Sequence, residues 1–275
     1  MAEFGWDTEN PQAKELKSRG DLLSIFRQLE SNFPKNPHRE LVKRTVAMLE
    51  RMVQEDEAHR WVSKEEIATW PLDAQVREWI FRLRDQTGRK FTEHGHCDVF
   101  EFSSANAGDT PAHHLVKIGF PAVPQLIEAM GGERFSRAVG DHRSFVFSHQ
   151  VLSVGDCAGQ ILREISTDVF SPHYLLGGDE ARRVQMAEDR AAALHWWRAV
   201  QENGEAQVLT EAIAKARNGS KAQVDPLQMR NLPGVRSIGV RPPSLPDLEK
   251  RLKEIESARQ ALTEPKRTAP VSSPE

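Results

Sequence analysis

A chain of 275 residues, 39% hydrophobic and 28% charged, is long enough for one large domain or for a solenoid with tails. Its net charge of -3 exerts no global attraction on nucleic acid or acidic lipid, and its 2 cysteines, Cys97 and Cys157, make no disulfide framework. No apolar run approaches the roughly 20 residues of a membrane helix, and the stretch from Met1 to Asp7 has neither a basic nor an apolar leader region, so a soluble cytoplasmic protein with no membrane partner is expected.

Residues 1–20 read as a polar extension. Asp21 is placed to cap a helix whose apolar face is Leu22, Ile25, Phe26 and Leu29. Asn36-Pro37 reads as a cap followed by proline at the first helical position, and the helix beyond it has Val42, Thr45, Val46, Leu49 and Val53 to bury. Ser63 and Glu66 have capping-box spacing for a short helix that Pro71 stops near Trp70. Asp73 restarts the chain as a helix with Val76, Trp79, Ile80 and Leu83 on one face and Gly88 just past its end. Arg89 to Thr110 breaks the rhythm. There Phe91, Val99, Phe100 and Phe102 predict a short strand or a packed loop, and Ala107-Gly108-Asp109 a turn.

Pro111 to Met130 reads as two short helices with a Gly-Phe-Pro elbow. Ala112, Leu115 and Val116 line the first, and Gly119 supplies the positive φ its end requires. Pro121 opens the second, where Val123, Leu126, Ile127 and Met130 fall at i, i+3, i+4 and i+7. Gly131 to Gly155 is irregular, with an apolar centre at Phe145-Val146-Phe147 that suits a short hairpin. Asp156 is placed to cap the next helix, with Ala158, Ile161, Leu162 and Ile165 on one face. After a loop from Ser171 to Gly178, a long helix from about Asp179 carries Val184, Ala193, Trp196, Trp197 and Val200 and ends at Gly204. One more follows, with Leu209, Ala212, Ile213 and Ala216 together.

Past Asn218 prolines punctuate a polar linker. Leu248, Leu252, Ile255 and Leu262 give one further helix a narrow stripe, and residues after about Pro242 are expected to add little stability. Thr263 to Glu275 is expected to be disordered. The chain thus divides into an extension (1–20), a helical domain (21–218) and a stretch of linker, single helix and tail (219–275).

The central pair resembles a HEAT-like repeat of uncharacterised bacterial proteins, through Leu115-Val116-Lys117-Ile118-Gly119, Pro121-Ala122-Val123-Pro124 and Leu126-Ile127-Glu128-Ala129. Weaker resemblance runs from about Ser63 to Ala216 and includes Val154-Gly155-Asp156-Cys157-Ala158 and Ala192, Leu194, Trp196 and Trp197. The resemblance implies a mainly α fold: a HEAT-like α-solenoid of stacked helix pairs with irregular inserts and a disordered C-terminal tail. It also implies a scaffold that binds other macromolecules, without a catalytic residue or a cofactor. Some HEAT-like proteins are DNA glycosylases, so a nucleic-acid-binding relative is the alternative.

The residues with chemistry to offer are few. His94, His96 and Cys97 supply zinc-type ligands, which makes a metal-dependent enzyme a second alternative, but no further pair stands at zinc-finger spacing, and an exposed loop with Cys97 turned inward is the preferred reading. His113 and His114 are adjacent on a helix, about 100° apart, so one is expected to pack and the other to be solvated. Cys157 and Asp156 read as a buried small residue and a cap before they read as nucleophile and acid. For Trp196 and Trp197 one ring is expected in the core and the other over a neighbouring helix.

The irregular stretch after Met130 is the preferred meeting point for a protein partner. Arg134, Phe135, Arg137, His142 and Arg143 mix arginine with aromatic side chains, the usual energetic centres of interfaces. The same mix can bind phosphate or stack bases. Phe145 and Phe147 read first as plugs between packed helices.

Overall fold

A computed structural model describes residues 18–86, 99–100, 109–140, 150–172, 174–176, 179–219, 236–238 and 244–263. They are mainly helical, with ten α-helices and four short strands among the described residues. None of these helices is long and apolar enough to cross a membrane. The chain forms two compact units, Met1–Thr69 and Trp70–Glu275.

The first unit is built on α1 (Arg19–Asn32) and α2 (Arg39–Ala58). Arg19 pairs with Asp56 at 2.6 Å and Arg27 with Glu50 at 2.7 Å, so the helices run antiparallel. Leu23, Val42, Val46, Met48, Leu49 and Met52 are buried. Three expectations are corrected. Ser18, not Asp21, caps α1: Ser18 Oγ accepts the Asp21 N–H at 3.1 Å, while Asp21 Oδ2 accepts the Ser18 N–H at 3.0 Å. The apolar face also turns about one residue. Leu23 is inside, and Leu22 and Ile25 are 38% and 45% exposed. Asn36 does not cap α2; its Oδ1 accepts the His38 N–H at 2.8 Å in a turn, and the helix begins at Arg39. The short helix α3 (Lys64–Ile67) starts where expected, with Ser63 Oγ accepting the Glu66 N–H at 3.2 Å, and Ile67 is fully buried.

In the second unit α4 (Leu72–Arg82) buries Val76 and Trp79 and tightens into a 3-10 turn, Leu83–Asp85. Then α5 (Pro111–Ile118) is capped by Thr110, and Gly119 adopts φ 72°, as its place after a helix requires. The 3-10 turn Phe120–Ala122 leads into α6 (Val123–Ala129), where Val123, Leu126, Ile127 and Met130 are all buried as their spacing predicts. A hairpin follows, strands β1 (Phe135–Gly140) and β2 (Gln150–Ser153), and then α7 (Val154–Ile165). The cap of α7 is Ser153, with Asp156 completing the box from the third helical position. Helices α4 to α7 pack on one another around Leu83, Leu115, Leu126, Met130, Ile161 and Leu162.

Tyr174–Leu176 forms strand β3, where a loop was expected, and pairs antiparallel with β4 (Arg236–Ile238) from the linker. The long helix α8 (Asp179–Asn203) ends at Gly204, φ 82°, and α9 (Glu205–Gly219) follows. The last helix, α10 (Leu245–Thr263), of which little stability was expected, packs against α9. Leu248 is fully buried with Leu209 and Ile213 of α9, and Leu245, Leu252 and Ile255 pack against that cluster. Gly88, Phe91, Phe102 and the tail after Thr263 lie outside the described residues.

Candidate functional site

The hairpin leaves α6 and enters α7 at a stitched base. After Met130 the Gly132 N–H donates to Ala129 O at 2.8 Å, closing α6. The Gly155 N–H then donates to Gly132 O at 3.0 Å and the Val154 N–H to Arg134 O at 2.8 Å. The approach is so close that a Cβ at Gly155 would collide with Met130 O and stand 3.0 Å from Gly132 O. Beyond the base Phe135 pairs with Ser153, Val139 with Val151 and Gly140 with Gln150, so β1 takes four steps where β2 takes two. Inside this irregularity Ser136 is buried and its Oγ donates to Leu152 O at 2.7 Å.

Three of the five expected interface residues are described, and all three stand at the start of this hairpin. The Arg134 side chain is exposed and Phe135 is half-buried. Arg137 is held at two points: its N–H donates to Gln86 O at 3.0 Å and its Nε to Asp85 Oδ1 at 3.0 Å. Val151 on the facing strand is 45% exposed. His142, Arg143, Phe145, Val146, Phe147 and His149 lie outside the described residues. Glu133 pairs with Arg183 of α8 at 3.5 Å, and Arg182 of the same helix pairs with Asp156.

Beneath the hairpin lies a polar network that the sequence reading passed over. Gln86 is fully buried; its Nε2 donates to Val99 O at 3.0 Å and its Oε1 accepts the Ala112 N–H at 3.0 Å. Gln160 of α7, also buried, accepts the Val99 N–H on its Oε1 at 3.0 Å. The two amides thus satisfy both backbone groups of Val99, whose burial would otherwise be unfavourable. A signal was present: Gln86 follows Val76, Trp79 and Leu83 at helical spacing, and Gln160 sits between Cys157, Ala158, Ile161 and Leu162. A lone amide on an apolar face marks a partner to be found.

The remaining candidates resolve into packing where they are described. His114 stacks on Trp79 with centroids 3.9 Å apart, and its Nε2 lies 3.0 Å from Asp109 Oδ1. His113 meets Phe100 edge to face, with Nδ1 2.9 Å from Thr110 Oγ1. Both rings are half-buried against aromatic partners, so the expected split between packed and solvated does not occur, because the Val99–Phe100 turn covers one while Trp79 covers the other. Cys157 is fully buried, and Trp196 is buried while Trp197 is half-buried, both rings against Phe120 of the elbow. His94, His96 and Cys97 lie outside the described residues. Among the described residues no group of three or more His, Cys, Asp or Glu is placed to hold a metal ion. No family model, curated protein or solved structure matches the chain.

Proposed function

We propose that this protein is a non-catalytic, cytoplasmic interaction scaffold of HEAT-like helix pairs, and that it meets a protein partner at the β1–β2 hairpin. The observation that carries this reading is the presentation of Arg134 and Arg137, both exposed, on a hairpin hydrogen-bonded at its base to α6 and α7. Phe135 and Val151 add partly accessible apolar surface to the same strands. Arginine beside apolar groups on a rigid support suits a protein interface, because little side-chain freedom remains to be lost on binding. The solenoid part of the reading is supported by the packing of successive helices, α4 on α5, α6 on α7 and α9 on α10. The pairing of Arg137 with Asp85, and of Arg183 with Glu133, weakens the field that a nucleic-acid groove requires.

The test is the double charge reversal Arg134→Glu with Arg137→Glu, compared with wild type for melting temperature and for the proteins captured from source-cell lysate. Because Glu at 137 would face Asp85, Asp85→Asn serves as the control that removes the pair without reversing charge. Loss of captured proteins at unchanged melting temperature in the reversal, but not in the control, is expected. An unchanged capture profile would reject the site.

A further inference from the structure

We infer that Gln86 is the positioning residue of the hairpin: a buried amide, reaching α5 and the Val99 turn, that fixes where Arg137 is presented. The inference rests on the proposed interface only for what the hairpin binds; the positioning itself is a property of the free protein.

Five bonds carry it. The Gln86 side chain spans two elements, donating to Val99 O and accepting from Ala112 N–H, each at 3.0 Å. Ala112 is in the first turn of α5, where backbone N–H groups lack helical acceptors, so Gln86 acts there as a cap supplied from another element. Its backbone carbonyl accepts the Arg137 N–H at 3.0 Å, and the preceding residue, Asp85, accepts the Arg137 Nε at 3.0 Å. Val99 is in turn bound from its other side by Gln160 of α7, which ties the same centre to the helix that the hairpin enters. An apolar residue of the same volume at 86 would fill the space but leave its orientation to packing alone. The amide admits one orientation, since turning it would set its NH2 against the Ala112 N–H and its oxygen against Val99 O. With the side chain so fixed, the carbonyl of Gln86 and the carboxylate of Asp85 stand at a defined place, and Arg137 is held in one arrangement before any partner arrives.

The experiment is amide hydrogen exchange on the full chain carrying Gln86→Met, with Ala112, Arg137 and, as an internal reference, Leu209 and Ile213 followed individually. Faster exchange at both Ala112 and Arg137, by about tenfold at Ala112 as expected for one lost buried hydrogen bond, with the reference amides unchanged, is the expected result. The Arg137 amide is the decisive one, because its own acceptor is a backbone atom that the substitution leaves in place. Acceleration confined to Ala112 would show a helix cap and nothing more, and would overturn the inference. Should Gln86→Met loosen the reference amides as well, Gln86→Glu decides. A protonated carboxyl can still donate to Val99 and accept from Ala112, whereas an ionised one cannot donate. Arg137 protection, measured against wild type at each pH, must then fall as pH rises, and equal protection across the range would overturn the inference. Partner capture is read separately. If the charge reversals leave capture unchanged while Gln86→Met frees Arg137, the interface reading fails and the positioning stands; if the reversals abolish capture but Arg137 keeps its protection in Gln86→Met, only the positioning fails.

Discussion

Gly155 occupies a place in α7 where only hydrogen fits. A methyl group there would meet the carbonyl oxygens of Met130 and Gly132, both backbone atoms that end α6 and begin the hairpin. Two effects of Gly155→Ala oppose each other. Alanine favours a helix by up to about 1 kcal/mol, but overpacking a fixed site typically costs about 1–3 kcal/mol, and a backbone neighbour has little room to yield. The clash should win, and urea unfolding of Gly155→Ala should show a lower midpoint than wild type. An equal or higher midpoint would mean that the α6–α7 junction relaxes freely. The sequence foretold burial well for Val123, Leu126, Ile127 and Met130, since spacing alone decides which residues share a face. It misplaced the caps at Asp21 and Asp156, because a serine three residues before an acid makes a box in which both side chains bond backbone N–H groups, and the acid is the later member. Gln86 and Gln160 were missed for a different reason. Each is polar and reads as surface, and its burial depends on a backbone segment that arrives from elsewhere in the chain.

Among the elements α10 has the clearest energetic role. Its Leu248 completes a cluster with Leu209 and Ile213, and Arg217 and Glu205 of α9 pair with Glu249 and Arg251 of α10 at 2.6 and 2.8 Å. The exposed Arg217–Glu249 pair adds little, and the part-buried Arg251–Glu205 pair lies beside the apolar contact that docks the helix. Leu248→Ala should therefore destabilise the protein by about 2–5 kcal/mol, and thermal denaturation followed by far-ultraviolet circular dichroism would reveal it as a lower or earlier transition. A melting curve superimposable on wild type would return α10 to the status of an appended helix. Its stripe was legible in the sequence, but its docking was not, because a narrow apolar stripe behind a proline-rich linker says nothing of the surface that receives it. The strands were less legible still. The pairing of Tyr174–Leu176 with Arg236–Ile238 joins segments separated by some sixty positions, and the unequal steps of β1 and β2 blur the alternation that marks a strand.

For the molecule as a whole, the helical class was readable because the same 3.6-residue periodicity recurs in element after element, and each recurrence is an independent statement. The candidate interface was readable only as composition, arginine and phenylalanine without helical spacing; the support beneath it was not, since it is built from contacts between distant residues. That support bears on folding kinetics. The Val99 N–H and Gln160 are 61 positions apart, so the seat closes only after α7 has found the helices before it, and contacts of long sequence separation are made late. Interactions absent from the transition state change the rate of unfolding and leave refolding nearly untouched. Stopped-flow measurements on Gln160→Leu should accordingly show faster unfolding with a refolding limb close to that of wild type. Slowed refolding would instead place this bond in the folding nucleus. In the expected case the hydrogen bonds that orient the hairpin also govern how long the native state persists, so a substitution at Gln160 would shorten the protein's lifetime while leaving its speed of formation intact.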